Sequence, residues 1–351
     1  MMTTRSACWS AGCLLLGPLL LAGCSRPAPA VPVSAGQVSA GQVSAGEKPL
    51  LKVGFQLDWF PSAEHGGHFE ALVKNYYRDA GLDVTIVPGG PGAPGMQKVA
   101  LGQIEFAMGR SDDVILAVQH GLPLLIVGAQ MQHDPQAILL HEESPVKTFR
   151  DLDGKSVMAA PGSNWIAFLQ ARYGIHFGVF PLDFGLARFM ADKNFIQQCF
   201  ISNEPYYVGL QGVKTRALLI ADGGYDPYRV IFTSQTFARD HPGAVRAFLA
   251  ASARGWLEFL HGDPTEAGAR IQRESPTQTP PLIAFSIAAM KSYRLVEGDP
   301  AKGERIGLIT PARLTGMVRT LVQLQALPAP IPLEEFARFE FVPADPATAK
   351  K

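Results

Sequence analysis

The chain has 351 residues, 47% hydrophobic and 18% charged, enough for one large or two medium domains around a sizeable buried core. Its 31 Lys plus Arg balance 31 Asp plus Glu, and no long basic run breaks the balance. A nucleic-acid footprint is therefore excluded, and function has to come from a local site.

The opening MMTTRSACWSAGCLLLGPLLLAGC sets Arg5 before a short apolar run, Leu14 to Leu21, and small residues before Cys24. That run is well short of the ~20 residues a membrane-spanning helix needs, so residues 1–24 read as an export signal. The ending Leu-Ala-Gly-Cys resembles the lipobox of bacterial lipoproteins, which implies lipid on Cys24 and a chain anchored at the cell envelope, facing the periplasm or the exterior. Ser25, where Asp would favour inner-membrane retention, speaks against that retention. Cys8 and Cys13 leave with the signal, so Cys199 stands alone in the body and no intrachain disulfide is available. Its apolar setting, FIQQCFIS, reads as core packing. Residues 25–48, with VSAGQ repeated from Val33, lack the apolar surface to fold and read as a flexible tether.

The body then alternates strands and helices. LLKVGFQL is a strand, GHFEALVKNYYRDAG a helix stopped at Gly81, and LDVTIVP a strand. After the loop GGPGAPG come the helix MQKVALGQ, the strand IEFAMG, the helix SDDVILAVQHG and the strand PLLIVGAQM. The alternation repeats through QAILLHE, VKTFRDLDG, KSVMAAPG, SNWIAFLQARYG, FIQQCFIS and NEPYYVGLQG, and from RVIFTSQTF onward the pattern is mostly helical. These units predict an α/β fold of two lobes: lobe I over 49–136, lobe II over 137–238, a helical return to lobe I over 239–345 and a tail over 346–351. Each lobe is expected to hold a mainly parallel sheet flanked by helices, with a ligand cleft between the lobes.

In order, LDWFPSAEHGGHFEAL, NYYRDAGLDVTIVPGG, VALGQIEFAMG, HGLPL and FRDLDGKSVMAAPGS resemble the solute-binding proteins of ABC importers. The subgroup is the one shared by thiamine-pyrimidine-precursor and alkanesulfonate binders and by the fungal thiamine-pyrimidine synthase. The resemblance covers about residues 50–340 and implies the periplasmic-binding-protein type II fold, a monomer, and permease and ATPase partners. It also admits an enzyme, but the Lys and His that the synthase uses fall on Gly109 and Asp113, and its cysteine-rich run is missing. That points away from catalysis, since covalent chemistry needs its nucleophile in place. No cofactor is expected.

Four loops are candidates for the cleft. In the first, Asp58, Trp59, Phe60 and His65 offer a carboxylate and aromatic faces; Trp59 plugging a domain edge and Asp58 capping a helix are the plainer alternatives. Glu64, His65 and His68 have the look of a metal cluster, but two glycines interrupt them and no third ligand with a second shell is evident. No metal is expected, and His68 reads as a rim or surface residue. In the second loop Ser111 and Asp112, beside Arg110 and Asp113, either face the ligand or cap a helix. The third offers Gly162, Ser163, Asn164 and Trp165, with Trp165 as the second face of an aromatic sandwich or a packing residue. The fourth offers Glu204 and Tyr206, with Tyr225 as a rim residue beyond it. Acceptors outnumber cations in this set, which favours a flat, nitrogenous heterocycle over a sulfonate or nitrate. The expected activity is capture of such a ligand by lobe closure and delivery to a permease. A pyrimidine-forming enzyme and a ligand-sensing lipoprotein without a transporter are the alternatives.

Overall fold

The computed structural model of the chain describes residues 49–346 and residue 348. The expected export signal, the expected lipid site Cys24 and the expected tether all lie outside them. The strands are β1 (Leu51–Gln56), β2 (Leu82–Val87), β3 (Phe106–Arg110), β4 (Leu124–Met131), β5 (Gln136–His141), β6 (Ser156–Ala159), β7 (Gly178–Pro181), β8 (Gln197–Phe200), β9 (Thr215–Leu219) and β10 (Arg229–Ser234). The helices run from α1 (Gly66–Val73), α2 (Tyr76–Asp79), α3 (Gly95–Ala100) and α4 (Ser111–Gln119) through α5 (Asn164–Tyr173), α6 (Ala187–Ala191) and α7 (Glu204–Leu210). A helical return follows: α8 (Gln235–Asp240), α9 (Pro242–His261), α10 (Thr265–Glu274), α11 (Pro280–Ser292), α12 (Pro311–Gln323) and α13 (Leu333–Phe336).

Two five-stranded sheets result, ordered β2-β1-β3-β10-β4 and β7-β6-β8-β5-β9. Leu124–Met131 and Arg229–Ser234 are buried along their whole length, as continuous apolar runs at a sheet centre or under covering helices should be. Both sheets are mixed, but in each four strands run one way and one runs against them, so the mainly parallel expectation holds. β10 runs antiparallel to β3 and β4, and β5 antiparallel to β8 and β9. β10 is inserted into the first sheet, so the chain is back in that sheet from Arg229, ahead of the residue 238 expected as the end of lobe II. Sequence periodicity missed β7 and β9, whose short, half-exposed segments carry little apolar signal. The single helix expected over GHFEALVKNYYRDAG is two, because Asn75 adopts a left-handed φ of 59° that breaks it.

Helix α1 packs on the long helix α9, and glycines set their separation. A Cβ on Gly66 would lie 2.1 Å from the Phe259 ring, one on Gly67 2.2 Å from Trp256, and one on Gly255 2.1 Å from the Gly67 carbonyl. The glycines that separate the two histidines thus serve helix packing. His68, expected at the rim, is fully buried beneath this contact: Nδ1 meets the Tyr77 hydroxyl at 3.2 Å, which in turn meets Ser252 Oγ at 2.9 Å. Burial pushes the His68 imidazole down to about 3, so it is neutral in the core.

Glu70 on α1 is also fully buried, with neither carboxyl oxygen hydrogen-bonded among the described residues and Lys74 Nζ 4.0 Å away. Burial raises its carboxyl to about 7. A raised acid contributes stability that is present below its unfolded value of 4.5 and is lost as pH rises through about 7. Glu70→Leu should therefore stabilise the protein more at pH 8 than at pH 5, read as the change in thermal midpoint at each pH; an equal change at both would contradict this.

The chain crosses between lobes after β4 and again before β10, and the two crossings are tied together. His133 Nδ1 meets Asp226 Oδ2 at 2.7 Å, His133 Nε2 meets Glu304 Oε2 at 3.0 Å, and Arg313 Nη2 meets Asp226 Oδ2 at 2.8 Å. The Asp134 amide donates to Asp226 Oδ1 at 3.0 Å. Burial lowers the His133 imidazole, but the hydrogen bond to Asp226 and the Asp226 and Glu304 charges together raise it above its ordinary 6.5. This tie is complete below that value and weakens as pH rises past the raised one. The stability lost in His133→Ala should shrink between pH 6 and pH 9 in denaturant titrations.

Candidate functional site

A cavity of about 880 Å³ lies between the lobes, at the carboxyl ends of β1, β3 and β8. The turn after β1 forms one wall. The Gly89 amide donates to the Trp59 carbonyl at 3.0 Å, and a Cβ on Gly89 would sit 2.2 Å from the Leu57 carbonyl oxygen, so only glycine lets the two loops approach. Ser62 caps the short turn Ala63–His65: its hydroxyl accepts from the Glu64 amide at 3.3 Å, while His65 Nδ1 accepts from the Ser62 amide at 3.2 Å. With Nδ1 an acceptor, His65 Nε2 carries the proton and donates to Asp58 Oδ1 at 3.2 Å. His65 is 1% exposed, so it orients Asp58 from behind the wall.

The other Asp58 oxygen accepts from Arg229 Nη2. Arg229 opens β10, is buried, lies 3.8 Å from Asp134 Oδ2 and sits over the Phe200 ring at 5.6 Å from its centroid. Asp58 is therefore held well below the usual carboxylate range, where the Arg229 charge and the His65 hydrogen bond outweigh desolvation. Arg110 is occupied in the same way. Its Nε and Nη2 reach Asp113 at 3.2 and 3.3 Å, its Nη1 donates to Gln136 Oε1 at 2.9 Å, and Asp112 Oδ1 lies 3.5 Å from Nε. Arg110 and Arg229 are the cations among the described residues that line the cavity, and both are neutralised.

Aromatic rings form the mouth. Trp59 meets Phe60 edge-on at 5.6 Å and, across the cleft, Phe184 at 5.2 Å. Phe60 and Phe184 remain 51% and 61% exposed, and Phe184 adopts a positive φ of 60°. On the floor, Ser202 from lobe II donates to Glu64 from lobe I, and Glu204 Oε2 accepts from the Phe200 amide at 2.7 Å. Burial raises both carboxyls, Glu64 to about 7.

Asp58, Trp59, Phe60, Ser163 and Glu204 thus meet at the cavity. The other seven candidates are placed elsewhere, His65 behind the wall as described. Ser111 and Asp112 are buried, and Asp112 accepts from Tyr225 and from Asn164 Nδ2 at 3.0 Å, which ties α4 to α5 across the lobes. Trp165 is fully buried and packs near Phe177, so it does not supply a second face. Gly162 is exposed at a φ of 77°, and Tyr206 packs on Phe285, leaving its neighbour Tyr207 on the cavity. Tyr225, expected at the rim, is 2% exposed. Cys199 is buried with its thiol pushed well up, which removes the thiolate a nucleophile needs. The histidines of the first loop turn to separate partners, Asp58 and Tyr77. Sequence reasoning missed Arg229, Gln136, Gln198, Phe184 and the role of Glu64. Arg229 reads as an ordinary residue before an apolar strand, and only its pairing partner, distant in sequence, reveals it.

Residues 62–267 match the family described as NMT1/THI5 like. The chain belongs to that family. The riboflavin-binding protein RibY of Chloroflexus aurantiacus is 28% identical over 71% of this chain and 73% of its own length. The formylaminopyrimidine-binding protein of Halalkalibacterium halodurans is 26% identical over 63% of this chain and 70% of its own. The periplasmic aliphatic sulphonate binding protein SsuA of Escherichia coli has the same fold, with a TM-score of 0.62 at 17% identity over 82% of this chain and 92% of that one. Gly109, at the position expected to carry the family enzyme's Lys, lines the cavity without a side chain to react.

Proposed function

We propose that this chain is the lipid-anchored, solute-binding component of an ABC importer and that it binds a flat, amino-bearing heterocycle between its lobes without transforming it. One observation carries the reading: both guanidinium groups on the cleft are neutralised by carboxylates, while Trp59, Phe60 and Phe184 ring its mouth. An anionic sulfonate or nitrate would compete with Asp58 and Asp113 for those cations, whereas an uncharged ring gains aromatic contact and meets carboxyl acceptors. The volume of about 880 Å³ leaves room for a ring larger than a single pyrimidine. The named ligands of RibY and of the formylaminopyrimidine-binding protein are heterocycles, which supports the same class. Closure of the lobes around the ligand would create the form that docks on the permease.

Mass spectrometry of small molecules released from the purified protein tests this. The expected compound is a nitrogen heterocycle, with Trp59→Ala binding it roughly tenfold more weakly or worse in calorimetry. Recovery of a sulfonate, or chemical turnover of the released compound by the protein, would overturn the reading.

A further inference from the structure

We propose that Glu64 selects ligands that present an N–H or amino donor and couples that contact to lobe closure through Ser202. This rests on the ligand-binding reading of the cleft given above. Glu64 lines the cavity from lobe I, and the Ser202 hydroxyl of lobe II donates to its Oε1. Among the described residues its Oε2 has no hydrogen-bond partner, whereas the neighbouring acids Asp58 and Asp113 are bound to guanidinium groups. Its backbone is fixed as well, since the Glu64 carbonyl accepts from Gln130 Nε2 on β4. Glu64 therefore offers an acceptor oxygen to the cavity, held in place by both lobes.

The groups around it set when that oxygen is charged. Arg229 from β10 and the Ser202 hydrogen bond favour the carboxylate; burial, Asp58 and Glu204 oppose it, and the carboxyl ends at about 7. The return segment opposite adds the neutral Ser286 and Gln278 and the acid Glu274, which is paired with Arg270 at 2.6 Å. A donor on the ligand favours the ionised form, so binding would drive the Glu64 proton into solvent. Affinity should then rise about tenfold per pH unit below about 7 and level off above it. A ligand presenting an acceptor would reverse that slope.

The test uses calorimetry with riboflavin and a formylaminopyrimidine as probes between pH 5.5 and 8.5, with carbon-13 NMR titration of glutamate carboxyls in the ligand-free protein. Wild type should show the rising profile, and Glu64→Gln should bind more weakly at pH 8 with no slope. Ser202→Ala should move the Glu64 midpoint upward, because it removes a bond to the carboxylate. A Glu64→Gln variant that keeps the slope, or a midpoint unmoved in Ser202→Ala, overturns the proposal. If wild type binds neither probe, the heterocycle reading fails, and the NMR midpoint alone then decides this one: a shift in Ser202→Ala sustains the tie and no shift overturns it.

Discussion

Asp58→Ala should cost about 3–5 kcal/mol of stability and abolish ligand binding, because it strips the principal partner from a buried guanidinium. Among the described residues Arg229 would keep one ion-pair partner within 4 Å, Asp134 at 3.8 Å, with the charge of Glu64 beyond it, and His65 Nε2 would lose its acceptor. Denaturant unfolding measures the loss. A double variant, Asp58→Leu with Arg229→Met, should recover much of the stability but not the binding, since replacing a buried pair by apolar groups removes the unpaired charge. If the single variant unfolds at the wild-type midpoint, the pair is not the anchor of this wall. The pH dependence has a definite sign. Asp58 is depressed in the folded state, so its contribution is present above its ordinary 3.8 and is lost as pH falls through the lower folded value. At pH 5 the tie should be intact.

The second large effect is expected at Gly255. A Cβ there would meet the Gly67 carbonyl oxygen at 2.1 Å and the Ala71 amide nitrogen at 2.8 Å, and backbone atoms cannot rotate out of the way. Gly255→Ala should force α1 and α9 apart and destabilise by about 3 kcal/mol, the upper part of the range for overpacking. Because α1 begins directly after His65, the displacement should also loosen Asp58 and weaken binding. Gly316→Ala is the control. That glycine lies in α12 with nothing within 4 Å of its would-be Cβ, and the change should stabilise by about 0.5–1 kcal/mol. Equal effects at the two sites would show that helix propensity, rather than close packing, decides both.

The fold was largely legible in the residue order. Apolar runs and helical spacing located β1 to β6, the long helices of the return and the two-lobe plan, because each depends on local periodicity. The mixed character of the sheets was not legible, since strand direction depends on which neighbours pair, and β10 pairs with strands far earlier in the chain. The site divides in the same way. Asp58, Trp59, Phe60, Ser163 and Glu204 stand at strand ends or helix mouths, where the α/β pattern itself predicts exposure to a cleft. Trp165, Asp112 and Asn164 have the same local signature, but tertiary packing buried the first two and committed Asn164 to a hydrogen bond with Asp112.

Hydrophobic period and loop position are local properties, so residue order alone carries the two-lobed α/β plan and the loops that face its cleft. Whether the acids of LDWFPSAEHGGHFEAL are free or committed was decided only by the tertiary structure. Arg229 lies 171 residues along the chain from Asp58, and Ser202 138 from Glu64, yet these contacts bind one carboxylate to a cation and leave the other with an oxygen that no described residue hydrogen-bonds. Charge pairing acts through space, and only the fold brings the partners within reach.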